Sequence, residues 1–460
     1  MQSTKTHDAA ARRPASLLAL ALVAAGAVVA ACSASQAPSA AASTGPALTY
    51  YKDVKPIVDA KCIGCHVEGG LAPFALTSAS GVVAEAELMK SETASRVMPP
   101  WMAGPNCQEY AGDESLSADQ IKTIGDWADQ GAAAGDPSDE GAPLASDTSA
   151  LSRVDATIQM PVSYTPVTHP DEYRCFLIDW PETEAKYITG FRARPGDPQI
   201  VHHVIGYIAT PAQLATYEAL DEGGKGWSCF GGPGGPESTS IAWVGAWAPG
   251  GAGGDFPTDT GIKILPGSKI ILQVHYNTLT VTTGTDRTQL DFKLDDAVKK
   301  EAAIVPYTNP DWLSGDAMTI AAGDPDASYS WSFDISPFMS ILTNGTIPDK
   351  GFLMYGAALH MHLLGTTATT SITPAAGGAS PADQCLLDIP AWNFHWQRMY
   401  DFQQPILFHN GDKLNLSCHW NNSQANQQTV NGQQLAAKTV TWGEGTTDEM
   451  CLGLMYVTAP

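Results

Sequence analysis

Histidine and cysteine carry most of the chemical information in this chain of 460 residues. Of its 11 histidines, six fall at ligand-like positions: in Cys62-Ile63-Gly64-Cys65-His66, in His202-His203, in Gln273-Val274-His275-Tyr276 and in His360-Met361-His362. The first stretch sets two thiols and an imidazole at the spacing that attaches haem covalently, through two thioethers and a proximal histidine. A redox Cys-x-x-Cys or half of a zinc site would use the same cysteines. However, no second Cys-x-x-Cys exists to complete a zinc site, and His66 directly after Cys65 favours haem. A distal iron ligand is expected from Met98-Pro99-Pro100-Trp101, where two prolines stiffen the loop behind the thioether of Met98. Met102 is its competitor.

The other histidines read as metal ligands on strands. Residues i and i+2 of a strand point to one face, so His360 and His362 can meet one ion while Met361 packs behind them. His275 shares a face with Gln273, and Gln273 and Tyr276 are candidates for orienting it. His202 and His203 are adjacent, so both can serve one ion only at a bulge or strand end. A single histidine of this kind would ordinarily be a satisfied core or surface residue. Three such clusters, with a late thioether at Met450, point to a metal that accepts imidazole and sulfur. Copper does so and cycles between two oxidation states; zinc rivals it for three histidines, but not where methionine takes part. His7, His169, His395, His409 and His419 lack ligand-like partners and read as structural.

These side chains need a framework. The composition is 44% apolar and 16% charged, normal for a globular chain long enough for two to four domains. Frequent Gly (43) and Pro (32) with few helical runs suggest a β-rich body. Strand-like runs cover 173–179, 187–193, 200–208, 269–276, 290–294, 351–362, 414–420 and 451–457. Turn pairs Pro266-Gly267, Asn344-Gly345 and Asn410-Gly411 separate them. Two β-sandwiches follow, over 151–308 and 309–460. Ahead of them lies a small helical unit, 47–135. Asp53 is expected to cap its first helix, with Pro56 in the first turn. A later helix starts at Ser117, with Gln120 completing a capping box, and ends at Gly131. Residues 136–150 form a polar linker. A net charge of −23 argues against nucleic acid as a partner.

The N-terminus reads as a targeting segment. Lys5, Arg12 and Arg13 precede an apolar run from Leu17 to Ala31, which is short for a membrane span. The run ends Val29-Ala30-Ala31-Cys32, which resembles a bacterial lipobox. By that resemblance residues 1–32 form a signal peptide with Cys32 as the lipidated first residue of the mature chain. Residues 33–46 would be a flexible tether. Ser33 does not resemble an inner-membrane retention signal, so the expectation is an exported lipoprotein on the periplasmic face or outer membrane, held only by its lipid. Of the nine cysteines, Cys32, Cys62 and Cys65 are thereby used. The even remainder in an exported chain suggests disulfides.

Residues 47–135 resemble class I cytochrome c domains. Val201-His202-His203-Val204-Ile205, Leu272-Gln273-Val274-His275-Tyr276, Leu359-His360-Met361-His362-Leu363-Leu364-Gly365 and Thr447-Asp448-Glu449-Met450-Cys451 resemble, in order and spacing, the copper type II, ascorbate-dependent monooxygenases. The resemblance implies a mostly β fold of two jelly-roll-like domains with one copper each. His202, His203 and His275 would hold the electron-transfer copper, and His360, His362 and Met450 the copper at which O2 reacts. It also implies Cys175–Cys229 and Cys418–Cys451 disulfides. Cys107 and Cys385 then remain, to pair with each other or stay free. The implied activity is hydroxylation of a C–H bond of a small organic substrate. Relatives take both electrons from ascorbate; here the fused haem c would relay them from a periplasmic donor, replacing or supplementing an ascorbate-like reductant. In the peptide-hydroxylating relatives an arginine two residues before the His-x-His binds the substrate carboxylate, and that position is Ala358. Their Asn and Tyr after the methionine correspond to Leu452 and Leu454. An apolar, uncharged substrate is the expectation. A competing reading is a periplasmic electron-transfer or copper-holding lipoprotein without oxygenase activity. A third makes the haem an independent sensor. Two distinct ligand sets argue against mere storage.

Overall fold

The computed structural model describes residues 47–68, 72–144, 151–235, 241–248, 251, 253–279, 281, 283–314, 317–375, 383–430 and 433–460. The expected signal peptide, Cys32 and the tether lie outside these residues, as does part of the linker. Among the described residues no helix is long and apolar enough to cross a membrane.

The body is built from antiparallel strands. In chain order the main ones are β1 (Ala156–Gln159), β2 (Asp171–Asp179), β3 (Lys186–Arg194), β4 (Val201–Ala209), β5 (Ala242–Trp247), β6 (Thr260–Ile264), β7 (Lys269–Asn277), β8 (Gln289–Asp295) and β9 (Lys300–Tyr307). They continue with β10 (Ala327–Phe333), β11 (Phe352–His360), β12 (Gly365–Thr373), β13 (Gln384–Ile389), β14 (Tyr400–Phe408), β15 (Lys413–Trp420) and β16 (Leu452–Thr458). One long sheet runs β1-β8-β3-β6-β9-β16-β11-β14. A second, containing β2-β7-β4-β5, belongs to the first half of the chain, and a third, β10-β15-β12-β13, to the second half.

Two apolar cores result. One collects Phe176, Ile188, Val204, Leu272, Tyr276 and Phe292; the other Phe352, Met354, Leu387, Phe408, Leu416 and Trp420. Strand β9 serves both. Its Ala302 belongs to the first core and its Val305 and Tyr307 to the second, while it pairs in parallel with β6 and antiparallel with β16. The two sandwiches therefore share the strand that ends at Tyr307.

The helical unit has its own core of Val54, Val58, Leu76, Val82, Ile124 and Trp127. Its last helix, Ala118–Asp129, carries the expected capping box of Ser117 and Gln120, and Gly131 follows at φ +91°. The first helix departs from expectation. Helical turns begin at Tyr50 with Thr49 as N-cap, and Asp53 reaches back to accept the Thr49 N–H at 2.8 Å. The start of the expected linker also folds back: Gly141 N–H donates to Tyr51 O at 3.0 Å and Glu140 pairs with Lys55.

Residues 101–114 of the helical unit lie on the second sandwich. Tyr110 bridges to Phe402, Ala111 N–H donates to Asp401 O, and a disulfide joins Cys107 to Cys385. Cys175–Cys229 and Cys418–Cys451 pair as the resemblance implied.

Asp291 is the most buried ionic anchor of the first sandwich. Its carboxylate, 1% exposed, accepts from Thr157 and pairs with Arg192 and Arg194. Burial raises its pKa, but those three partners outweigh it and lower the value below the ordinary carboxylate range. Its stabilising contribution is therefore present above the unfolded pKa and lost as pH falls through the folded one. Asp291→Asn is expected to cost about 1–3 kcal/mol at pH 7, with a smaller difference from the parent at pH 3. Urea denaturation at the two pH values measures this.

Candidate metal centre

His202 and His203 open β4, where its pairing with β7 slips by one residue between Val201 and His203. This bulge is what lets two adjacent side chains converge. His203 then lies directly across from His275. The Nδ1 atoms of His202 and His203 are 3.2 Å apart, and those of His203 and His275 3.3 Å. One ligand nitrogen from each ring lies within 4.8 Å of the others. Burial holds the pKa of His202 and His203 well below the usual imidazole value, and neighbouring histidines push in the same direction. Neutral rings whose nitrogens face one another have no proton to share between every pair. A cation is what such a cluster suits, and three imidazoles are a donor set for copper. The buried His202 Nε2 has no hydrogen-bond partner.

His275 is oriented by a residue that the sequence did not single out. Its Nε2–H donates to Asp171 Oδ1 at 2.9 Å, leaving Nδ1 to face the cluster. The Asp171 carboxylate also accepts from Asn277 Nδ2 at 2.9 Å, and from both the N–H and the hydroxyl of Thr446. Tyr173 stacks on the His275 ring at 4.1 Å between centroids. Gln273 and Tyr276, the candidates for this orienting role, are engaged elsewhere. The Gln273 amide donates to Cys229 O and Gly232 O, and the Tyr276 hydroxyl donates to Asp286. Both hold the β-framework and not the imidazole. No local spacing announces Asp171; it lies opposite Asn277 across the β2–β7 pair.

The second set differs from its expectation. His360 is the last residue of β11, and Met361 and His362 lie beyond the strand. The rings still come together, 5.0 Å between centroids and nearly perpendicular, while Met361 is buried in the second core. Each ring uses Nδ1 within the protein: His362 with Asp448 O at 3.1 Å, and His360 with the side-chain carbonyl of Gln397. Both Nε2 atoms remain for a ligand. Burial lowers the His360 pKa to about 4, although Gln397 opposes the shift. Met450 is buried beside Cys451, whose disulfide fixes the start of β16 to β15.

Glu449 ties this set together. It is fully buried and accepts the N–H groups of His362 (2.9 Å) and Leu364 (2.6 Å) and the indole N–H of Trp420 (2.8 Å). Burial pushes its pKa up to about 8 against those donors. The two histidine sets are neighbours. The ring centroids of His203 and His360 are 6.3 Å apart, and Phe394 stacks on His202 at 4.2 Å with its centroid 5.8 Å from that of His362. His395, read as structural, sits beside Phe394 at the margin of the site. Next to His360, the cross-strand pairs Ala358–Leu454 and His360–Leu452 make a ledge with no charged group.

In the helical unit Cys62 and Cys65 are free thiols, whereas the other six described cysteines are paired. His66 Nδ1 lies 3.1 Å from Phe74 O, which leaves its Nε2 available. Met102 Sδ accepts the Asn393 N–H at 3.2 Å.

Replacing Glu449 by Gln turns one acceptor oxygen into an amide NH2 that faces a buried donor. The expected loss is on the order of 2–3 kcal/mol, read from denaturant unfolding of the apoprotein above the Glu449 pKa of about 8, where the carboxylate is ionised.

Two family models match the chain. The copper type II ascorbate-dependent monooxygenase N-terminal domain covers residues 156–283, and the C-terminal domain of that family covers 338–459. Residues 47–135 lie outside both matches. No curated protein matches the chain. Among solved structures it is similar to a peptide-N(4)-(N-acetyl-beta-D-glucosaminyl) asparagine amidase, with 11% identity over 66% of this chain and 96% of that one, at a TM-score of 0.25. It is also similar to a mutant VP2 protein of infectious bursal disease virus (9% identity, 68% and 71% covered, TM-score 0.14). A structure of the Gx strain of that virus gives 10% identity, 66% and 72% covered and a TM-score of 0.13. Likenesses this slight carry no argument. The two family matches together span more than half of the chain and each contains one histidine set, so the chain belongs to the copper type II ascorbate-dependent monooxygenases, a family of oxidoreductases.

Proposed function

We propose that this copper monooxygenase hydroxylates a C–H bond of a small apolar substrate, with one copper held by His202, His203 and His275 and a second by His360, His362 and Met450. The observation that carries the reading is the convergence of free imidazole nitrogens at two adjacent buried sites beside an uncharged ledge. Copper, when bound, supplies one-electron redox chemistry and a place for O2 to react. The chain's own residues do the rest. Asp171 and Gln397 fix which nitrogen of His275 and of His360 faces the metal. Glu449 and the Cys418–Cys451 disulfide hold the segments that bear His362 and Met450 at a fixed separation. Ala358, Leu452 and Leu454 offer a substrate contact area without hydrogen-bonding groups on their side chains. A site of this kind gains from apolar substrates and rejects a carboxylate, whose charge would go unpaired.

The proposal extends to the helical unit. Cys62 and Cys65 would carry a covalent haem, with His66 and Met98 as axial ligands; haem supplies a one-electron store. Support comes from the two unpaired thiols, from the His66 Nδ1 contact that frees Nε2, and from Met102 being engaged with Asn393, which leaves Met98 for the iron. The unit is joined to the second sandwich by Cys107–Cys385 and by the Arg398–Glu114 ion pair at 2.8 Å, so a donor carried there would stay with its copper sites. The lipobox-like Cys32 fits an exported, lipid-anchored bacterial protein, with electrons from a periplasmic donor or an ascorbate-like reductant.

Two experiments test this. Met450→Ala is expected to abolish oxygen-dependent hydroxylation while the chain stays folded; full retained activity would remove Met450 from the oxygen site. For the haem, protein loaded with Cu(II) and carrying reduced haem is followed anaerobically by stopped flow without an external acceptor. Oxidation of the haem at a rate independent of protein concentration, and absent without Cu(II), is expected. No oxidation would mean that the copper sites need a diffusible reductant.

A further inference from the structure

The segment between β13 and β14, residues 390–399, is the least regular part of the metal centre and touches both histidine sets. Trp392 donates its indole N–H to His362 O at 3.0 Å, and Phe394 stacks on His202. Gln397 accepts from the His360 ring. The orientation of that amide is not free. Gln397 Nε2 donates to Phe394 O at 2.7 Å, so its carbonyl oxygen must be the atom that faces His360. A carbonyl can only accept, so the His360 nitrogen that meets it carries the proton and Nε2 keeps its lone pair.

The helical unit grips this segment at both ends. On the β13 side, Gly104 N–H donates to Asp388 O at 2.7 Å, the Tyr110 hydroxyl to Leu386 O at 3.0 Å, and Cys107 is bonded to Cys385. In the middle, Asn393 N–H reaches Met102. On the β14 side, Arg398, adjacent to Gln397, pairs with Glu114 and lies 5.0 Å over the Trp101 ring. Such a ring contact is worth more where water is excluded, and the Arg398 side chain is only 14% exposed.

We infer that Gln397 is a positioning residue for His360, and that the helical unit holds it there through the Arg398–Glu114 and Cys107–Cys385 links. This role rests on the proposed ligand set of the second copper but does not depend on haem. A merely structural hydrogen bond would affect melting alone; a positioning one changes the metal.

The test uses the full chain and Cu(II) alone as probe, with both equivalents followed by chelator competition and electron paramagnetic resonance. Gln397→Leu, which fills most of the space without an acceptor, is expected to weaken one of the two equivalents roughly 10- to 100-fold and to alter its hyperfine pattern. The other equivalent should be unchanged, and Gln397→Glu, which keeps an acceptor for His360 but loses the donation to Phe394 O, should bind the affected equivalent more tightly than Gln397→Leu. Glu114→Ala, which removes the partner of Arg398 and no member of either copper ligand set, should weaken the same equivalent by a smaller factor. Unchanged affinity and spectrum in Gln397→Leu would overturn the positioning role. Unchanged values in Glu114→Ala would remove the helical unit from it. His360→Ala is the control: if it binds two coppers as the parent does, the ligand assignment itself has failed, and not the inference about Gln397.

Discussion

The carboxylate of Asp171 accepts from His275, from Asn277 and twice from Thr446, so one side chain orients an imidazole of the first sandwich and fastens the chain that leads to Met450 in the second. Burial alone would raise its pKa, but these donors lower it to about 2, which keeps it charged and able to accept from all of them. Tyr173, two residues on, repeats the link: it stacks on His275 and donates to Glu444 O at 2.6 Å. The proximity of the two histidine sets therefore follows from polar contacts that each half needs anyway to satisfy its buried groups. An imidazole has two nitrogens, and those of His275, His360 and His362 each use one on an acceptor of the protein. The opposite nitrogen faces inward, which prepares a metal site without any ionised histidine.

The second sandwich repeats this economy with Glu449. Its two oxygens take three N–H groups, two of them from the turn after β11 where no strand partner exists. That turn is needed because His360 and His362 must face each other across a bend, and a turn without ladder hydrogen bonds must find acceptors elsewhere. The acidic residue next to Met450 thus keeps the three proposed ligands of one site in a fixed relation. Sharing of β9 between the cores stiffens the whole, since neither sandwich can shift without disturbing a strand that completes the other.

The helical unit adds a third layer of constraint. Its contacts with the body are concentrated on the edge strand β14 and the segment before it, and they cover an edge that would otherwise expose unpaired backbone groups. The same contacts bring Glu114 and Trp101 against Arg398, one residue from the partner of His360.

Much of this was legible in the sequence because it depends on neighbours along the chain. The spacing of His202-His203, His275 and His360-Met361-His362, the capping box at Ser117, and the β-branched and aromatic runs of β2, β4, β7 and β16 are local patterns, and strands and helices reproduce them wherever they pack. Adjacent histidines on a strand could meet one ion only at a bulge or a strand end, and β4 has a bulge there. The extension of His362 beyond the end of β11 was not legible, since alternation reads the same on a strand and just past it. The pairing of Cys107 with Cys385 and the roles of Asp171, Glu449 and Gln397 were decided by tertiary structure. These partners are separated by loops whose length hardly affects the free energy of closing them, so sequence distance carries almost no information about which will meet. The chain by itself determined which side chains could hold metal; packing of the two sandwiches determined which nitrogen each of them presents.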